Sequence, residues 1–126
     1  IGKEAPLYCT GVGKLLLLNY GRDELETIVR EEGLVRLTHN TITDKEKLLS
    51  ELEKVSNDGY AIDDEECELG ARCVAAPIRD YTGRTVACIS VSGPVSRMTL
   101  QKIPLVIAHT TEIAARISTE LGFGNA

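Results

Sequence analysis

The chain of 126 residues has no Trp and a single Phe, so it lacks the aromatic platforms on which single-stranded nucleic acids stack. Nor does it carry an excess of positive charge. Fourteen Lys and Arg against nineteen Asp and Glu leave −5 at pH 7, a sign that repels phosphate backbones. No apolar run approaches the roughly 20 residues that span a bilayer, and no basic start followed by an apolar stretch marks a secretion signal. The four cysteines (Cys9, Cys67, Cys73, Cys88) form no CxxC pair and have no His at finger spacing, which disfavours a structural zinc site. A chain of this length builds a core without disulfide staples. Reduced thiols in a cytoplasmic protein, with no metal or cofactor, are therefore expected.

What is present reads as helix, helix, helix, strand, strand, strand, helix. Gly11 to Tyr20 is an apolar helix opening from a Gly-containing turn, and Asp23 to Glu32 places Leu25, Ile28 and Val29 at helical spacing before Gly33. Residues 34–42 lack a period and read as a loop. Thr43-Asp44-Lys45-Glu46 has the form of a capping box, with Leu48, Leu49, Leu52 and Val55 as the core-facing stripe that follows. Tyr60 to Asp63 reads as a short strand and Asp64 to Gly70 as an acidic, solvated connection. Ala71 to Arg79 and Thr85 to Gly93 form a hairpin across Asp80-Tyr81-Thr82-Gly83. Pro77 belongs at an edge or a non-bonded position. Thr99 is expected to cap a last helix with Ile103, Val106, Ile107, Ile113, Ala114, Ile117 and Leu121 on one stripe, and Pro104 near its start could kink it. Three strands are few for four helices, so the first strands of the domain are expected upstream of Ile1.

Strand alternation makes the second hairpin arm informative. Ala87, Ile89 and Val91 share one face, as a core strand would. Val86, Cys88, Ser90 and Ser92 share the other, which turns small and polar. If Arg79 pairs with Arg84, then Cys73 faces Ser90, Ala71 faces Ser92 and Ala75 faces Cys88. Such a patch leaves room for a ligand. A second part of the site is Thr10-Gly11-Val12-Gly13-Lys14, where a turn enters a helix and free amides meet an anion. The phosphate-loop spacing is missing, so a smaller anion such as a carboxylate fits better. Asp63, at the end of its strand, would accept hydrogen bonds from ligand hydroxyls. No Arg is aimed at this place, and Lys14 and Arg72 read as structural or interfacial.

The blocks Pro6 to Lys14, Gly59 to Glu66 continuing through Gly70 to Ile78, and Ile89 to Pro94 resemble the effector-binding domain of IclR-family transcriptional regulators. The similarity covers nearly the whole chain. It implies a GAF-like α/β (α+β) domain, a bent antiparallel sheet flanked by helices. On that resemblance residues 1–126 are one effector-binding domain lacking its first strands, and a winged helix-turn-helix that binds operator DNA lies outside this chain. Effectors of the family are small acids: 2-oxo acids, sugar acids and aromatic acids. The resemblance carries the ligand role onto Gly11, Val12, Asp63, Cys73, Ser90 and Ser92, the set also reached from register. It further implies a homodimer or homotetramer, no membrane partner and no enzymatic activity.

Two other readings compete. A GAF-like thiol-dependent reductase would use Cys73 or Cys67 as its nucleophile, although Glu65, Glu66 and Glu68 surround Cys67 with the wrong sign for a thiolate. An oligomerisation module with a vestigial pocket is the third.

Overall fold

In a computed structural model, which describes residues 6–124, the chain folds as α+β. The elements run α1 (Gly11–Leu17), α2 (Arg22–Glu32), α3 (Lys45–Asp58), β1 (Ala61–Asp64), β2 (Ala71–Arg79), β3 (Thr85–Pro94) and α4 (Ile103–Glu120). The strands form an antiparallel sheet in the order β1-β2-β3, with β2 central. Alternation along β2 sets the two layers. Ala75 packs with Leu15 of α1 and Val55 of α3. Val74, Ala76 and Ile78, on the other face, pack with Ile103 and Ala114 of α4. Tyr8, Leu17, Leu48 and Leu52 form a further cluster on which Leu25, Ile28 and Val29 of α2 rest.

α3 begins differently from its sequence signature. Asp44, not Thr43, is the cap, accepting from the Lys47 amide at 3.3 Å. The Thr43 hydroxyl accepts instead from the Arg36 guanidinium at 3.1 Å. At its other end Gly59 (φ 81°) takes the left-handed turn that closes the helix, a conformation costly for residues with a Cβ. α4 starts at Ile103 after a turn from Thr99 to Lys102 and has no side-chain cap, so Thr99 is not one. Pro104 sits in its first turn, where a missing amide costs nothing and no kink follows.

The expected face of α4 is partly corrected. Ile103, Thr110, Ala114 and Ser118 are buried, with Val106 and Ile107 beside them, whereas Ile113, Ile117 and Leu121 are exposed. His109 is exposed too. Ser118 faces inward because the sheet needs its hydroxyl. The Arg79 amide donates to Ser118 Oγ at 2.9 Å, and that hydroxyl donates to the Ala114 carbonyl at 2.8 Å.

The hairpin register is also corrected. Arg79 pairs with Thr85, an irregularity follows between Ile78 and Arg79, and beyond it Cys73 pairs with Ser92, Ala75 with Ser90, Pro77 with Cys88 and Ala71 with Pro94. The turn is one residue longer than counted, with Asp80 N donating to Arg84 O at 3.1 Å, and the bulge adds one more. Two one-residue slips sum to two, so every side chain keeps its face. Pro77 lies in β2 beyond the end of β1, whose pairing stops at Ala75, so its missing N–H leaves no gap in that ladder. Of the expected core face of β3, Ile89 packs under α4, but Ala87 is exposed and Val91 is 39% exposed. α4 lies mainly over β2 and covers β3 only around Ile89.

At the start of β3 the Asn19 side chain stands in for a strand. Its amide donates to the Thr85 carbonyl at 2.9 Å and its oxygen accepts from the Thr85 amide at 3.1 Å. This ties the end of α1 to the sheet.

Candidate functional site

The sheet face under α1 is a small grid. One row across the three strands is Asp63, Cys73, Ser92, and the next is Ala61, Ala75, Ser90. All six side chains are short, so α1 descends close to the sheet. Gly11 rests on this grid: a Cβ there would stand 3.0 Å from the Ala75 Cβ and 3.6 Å from Cys73 Sγ. Gly13 is packed equally tightly, since a Cβ would run into the backbone of Leu7 and the Thr10 hydroxyl. Thr10 fixes the helix start by accepting from the Gly13 amide at 3.0 Å and donating to the Pro6 carbonyl at 2.9 Å.

Beyond the Gly11 contact the helix and the sheet part, leaving an open hollow of about 380 Å³. Gly11, Val12, Asp63, Cys73, Ser90 and Ser92 all line it, together with Leu7, Thr10, Gly13 and Leu16. All six residues singled out from the sequence are therefore brought together. Leu7 and Leu16, which add an apolar wall, were missed there. Their signal was obscured by the leucine-rich helix, in which apolar residues fall on every side.

Polar groups in the hollow are open for use. Among the described residues the amides of Gly11 and Val12 have no protein acceptor. Asp63 is buried at 9% exposure, and its Oδ1 accepts the Glu66 amide at 2.9 Å, which fixes the carboxylate at the mouth of the loop after β1. Burial pushes the Asp63 carboxyl above its ordinary value, against the pull of that amide bond and of Lys14. Burial likewise pushes the Cys73 thiol up, while the Ser92 and Ser90 hydroxyls beside it act in the opposite direction. Burial of this kind disfavours the thiolate that a nucleophile needs. Cys67 packs against the cluster containing buried Cys9, whose thiol is pushed up to about 12, chiefly by burial and then by Cys67. All four cysteines are free.

Behind the hollow, Lys14 is fully buried. Its Nζ lies 2.7 Å from Glu51, 2.7 Å from Glu66 and 2.9 Å from the Ile62 carbonyl. Burial alone would lower the Lys14 pKa, but Glu66 and Glu51 outweigh it and raise the value. Glu66 moves up despite the same pairing, because its own burial dominates. We read the ammonium as charged and shared, with Glu66 the more strained partner. The solvated role expected for Glu66 is thus corrected, as it is 8% exposed. Its neighbours mask it in sequence, since it sits in a run of acids. Lys14 and Arg72 are structural, Arg72 binding Asp64 at 2.9 Å and the Met98 carbonyl at 2.6 Å. Thr38 and Thr41, also unforeseen, anchor the loop before α3 to the carbonyls of Glu65 and Glu66 at 2.6 Å each.

A larger groove of about 800 Å³ runs between α4 and the start of β1. Three of its hydroxyls are spent, those of Thr111, Ser118 and Thr119, which donate to carbonyls of their own helix. The smaller hollow, with its unspent groups, is the better site. Among the described residues no His, Cys, Asp or Glu group suits a metal ion, and no helix is long and apolar enough to cross a membrane.

Comparison with known proteins identifies the family and the fold. The profile of the family described as bacterial transcriptional regulator IclR C-terminal matches residues 1–119. The HTH-type transcriptional regulator KdgR of Escherichia coli K12 is 38% identical over 123 residues, covering 98% of this chain and 47% of that protein. The crystal structure of the KdgR C-terminal domain superposes with a TM-score of 0.86 at 38% identity, covering 98% of this chain and 75% of that one. The inducer-binding domain of the PobR transcription factor from Acinetobacter, a double mutant in complex with 3-hydroxybenzoic acid, gives a TM-score of 0.86 at 30% identity, covering 94% and 68%. The chain spans about half the length of the curated relatives it matches.

Proposed function

This chain belongs to the IclR C-terminal family of bacterial transcriptional regulators, and from that membership we propose that it senses a small carboxylic acid in the hollow between α1 and the sheet. The observation that carries the reading is the convergence of unspent donors, the Gly11 and Val12 amides and the Ser90 and Ser92 hydroxyls, on one hollow with no bulky side chain in its floor. Amides and hydroxyls suit a carboxylate, with Asp63 and Cys73 left for the remainder of the ligand. The complex of the PobR domain with an aromatic hydroxy acid supports the same class, which also takes in 2-oxo and sugar acids.

In the intact protein the acid alters operator affinity of a DNA-reading segment outside this chain. The size of that effect is bounded by the acid's differential affinity for the two states. The acidic balance of the chain is consistent with DNA contact being made elsewhere. We expect a dimer or tetramer in the cytoplasm, as symmetric operators require. The test is a thermal-shift screen of the intact protein against small acids. An acid at about 100 times its Kd is expected to stabilise it by about 2.7 kcal/mol. Absence of any shift across 2-oxo, sugar and aromatic acids would contradict the reading.

A further inference from the structure

The hollow carries one negative charge of its own and has no cation to balance another. Its lining includes Asp63 and no Lys or Arg. The nearest cation behind it, Lys14, is already divided between Glu51 and Glu66. With Asp63, three carboxylates face one ammonium before any ligand arrives. The other groups around Asp63 do not help. Asp64 on its own strand adds a negative charge, and the thiols of Cys73 on β2 and Cys9 before α1 are neutral when protonated. The Glu66 amide is already committed to the carboxylate. Arg72 lies one residue out of register with this row, on the opposite face, bound to Asp64 and the Met98 carbonyl.

Resting on the reading that the hollow takes a small acid, we propose that the acid binds together with one proton, which Asp63 takes up from solvent. The ligand stays a carboxylate, an Asp63 oxygen gains the proton, and no other bond forms or breaks. Asp63 then meets the ligand as a neutral carboxylic acid that donates a hydrogen bond. Two like charges in one partly buried site favour such sharing. Burial of Asp63 among its own neighbours already acts in this direction. Asp63 is thereby a specificity determinant: acids bind with proton uptake and neutral polyols without it.

The experiment is isothermal titration calorimetry of the intact protein with pyruvate, gluconate and 3-hydroxybenzoate, in buffers of contrasting ionisation enthalpy, between about pH 5.5 and 8. For an acid that binds, uptake of up to about one proton is expected, and Kd weakens by up to about tenfold per pH unit as pH rises. Asp63→Asn is expected to bind without uptake, with a Kd independent of pH and tighter than wild type at the alkaline end. Glu66→Gln is expected to keep the uptake. Wild-type binding with equal heats in all buffers and a constant Kd overturns the proton coupling and leaves the acid-binding reading intact. Loss of binding by a normally folded Asp63→Asn assigns Asp63 an ionised, accepting role and also overturns it. If none of the three acids binds wild type at millimolar concentration, both the coupling and the reading beneath it are overturned.

Discussion

Lys14 shows how one residue ties together the elements behind the hollow. Its ammonium joins α1 to Glu51 of α3, to the Ile62 carbonyl of β1 and to Glu66 in the loop that also fixes Asp63. Removing one partner of a buried pair leaves the other charge uncompensated, so Lys14→Met is expected to destabilise the fold by about 3–5 kcal/mol in urea titration. A loss below about 1 kcal/mol would mean that the pair is solvated. The sign of the pH dependence follows from the raised pKa values. The Lys14 contribution is complete below the ordinary lysine value and is lost as pH rises through the raised one. The Asp63 and Glu66 carboxyls, also raised, favour folding below their unfolded values, and that advantage disappears as pH rises through their folded ones. Accordingly the stability gained by Asp63→Asn should shrink as pH falls toward about 4, read as converging urea midpoints. The Lys14 and Glu66 pairing was not legible in the sequence. Composition assigns a Glu inside an acidic run to solvent, and only the loop after β1 turns it inward.

At the scale of elements, the strands were legible and their register was not. Alternation of small residues in β2 and β3 correctly assigns Cys73, Ser90 and Ser92 to one face. The pairing differs by two because the turn and the bulge each contribute one residue, and no sequence pattern marks the bulge. Even parity saved the assignment of faces. α4 failed in a different way. It is apolar on nearly every side, so hydrophobicity cannot choose the face, and Ser118 is selected by the Arg79 amide that it satisfies. Ser118→Ala leaves that amide without its acceptor and is expected to cost about 1–3 kcal/mol, checked by thermal denaturation. The same substitution at exposed Thr119, whose hydroxyl serves only its own helix, should change stability by less than about 0.5 kcal/mol.

For the whole molecule, the decisive arrangement is a helix start standing on a sheet face that carries no large side chain. Glycines at positions 11 and 13 permit the approach, alanines 61 and 75 keep the floor low, and serines 90 and 92 leave it polar. The same arrangement explains why the sequence pattern already grouped residues that line one hollow. The residues are short, they alternate, and both parities survive folding. The central claim is that Ser90 and the facing amides hold the acid. Its most direct measurement is the affinity of the intact protein for its best small acid, by calorimetry, in wild type and in Ser90→Val. Loss of the hydroxyl should weaken binding by at least about tenfold, equivalent to about 1.4 kcal/mol, while the melting temperature of the unliganded protein stays the same. Equal affinities in the two proteins would contradict the account.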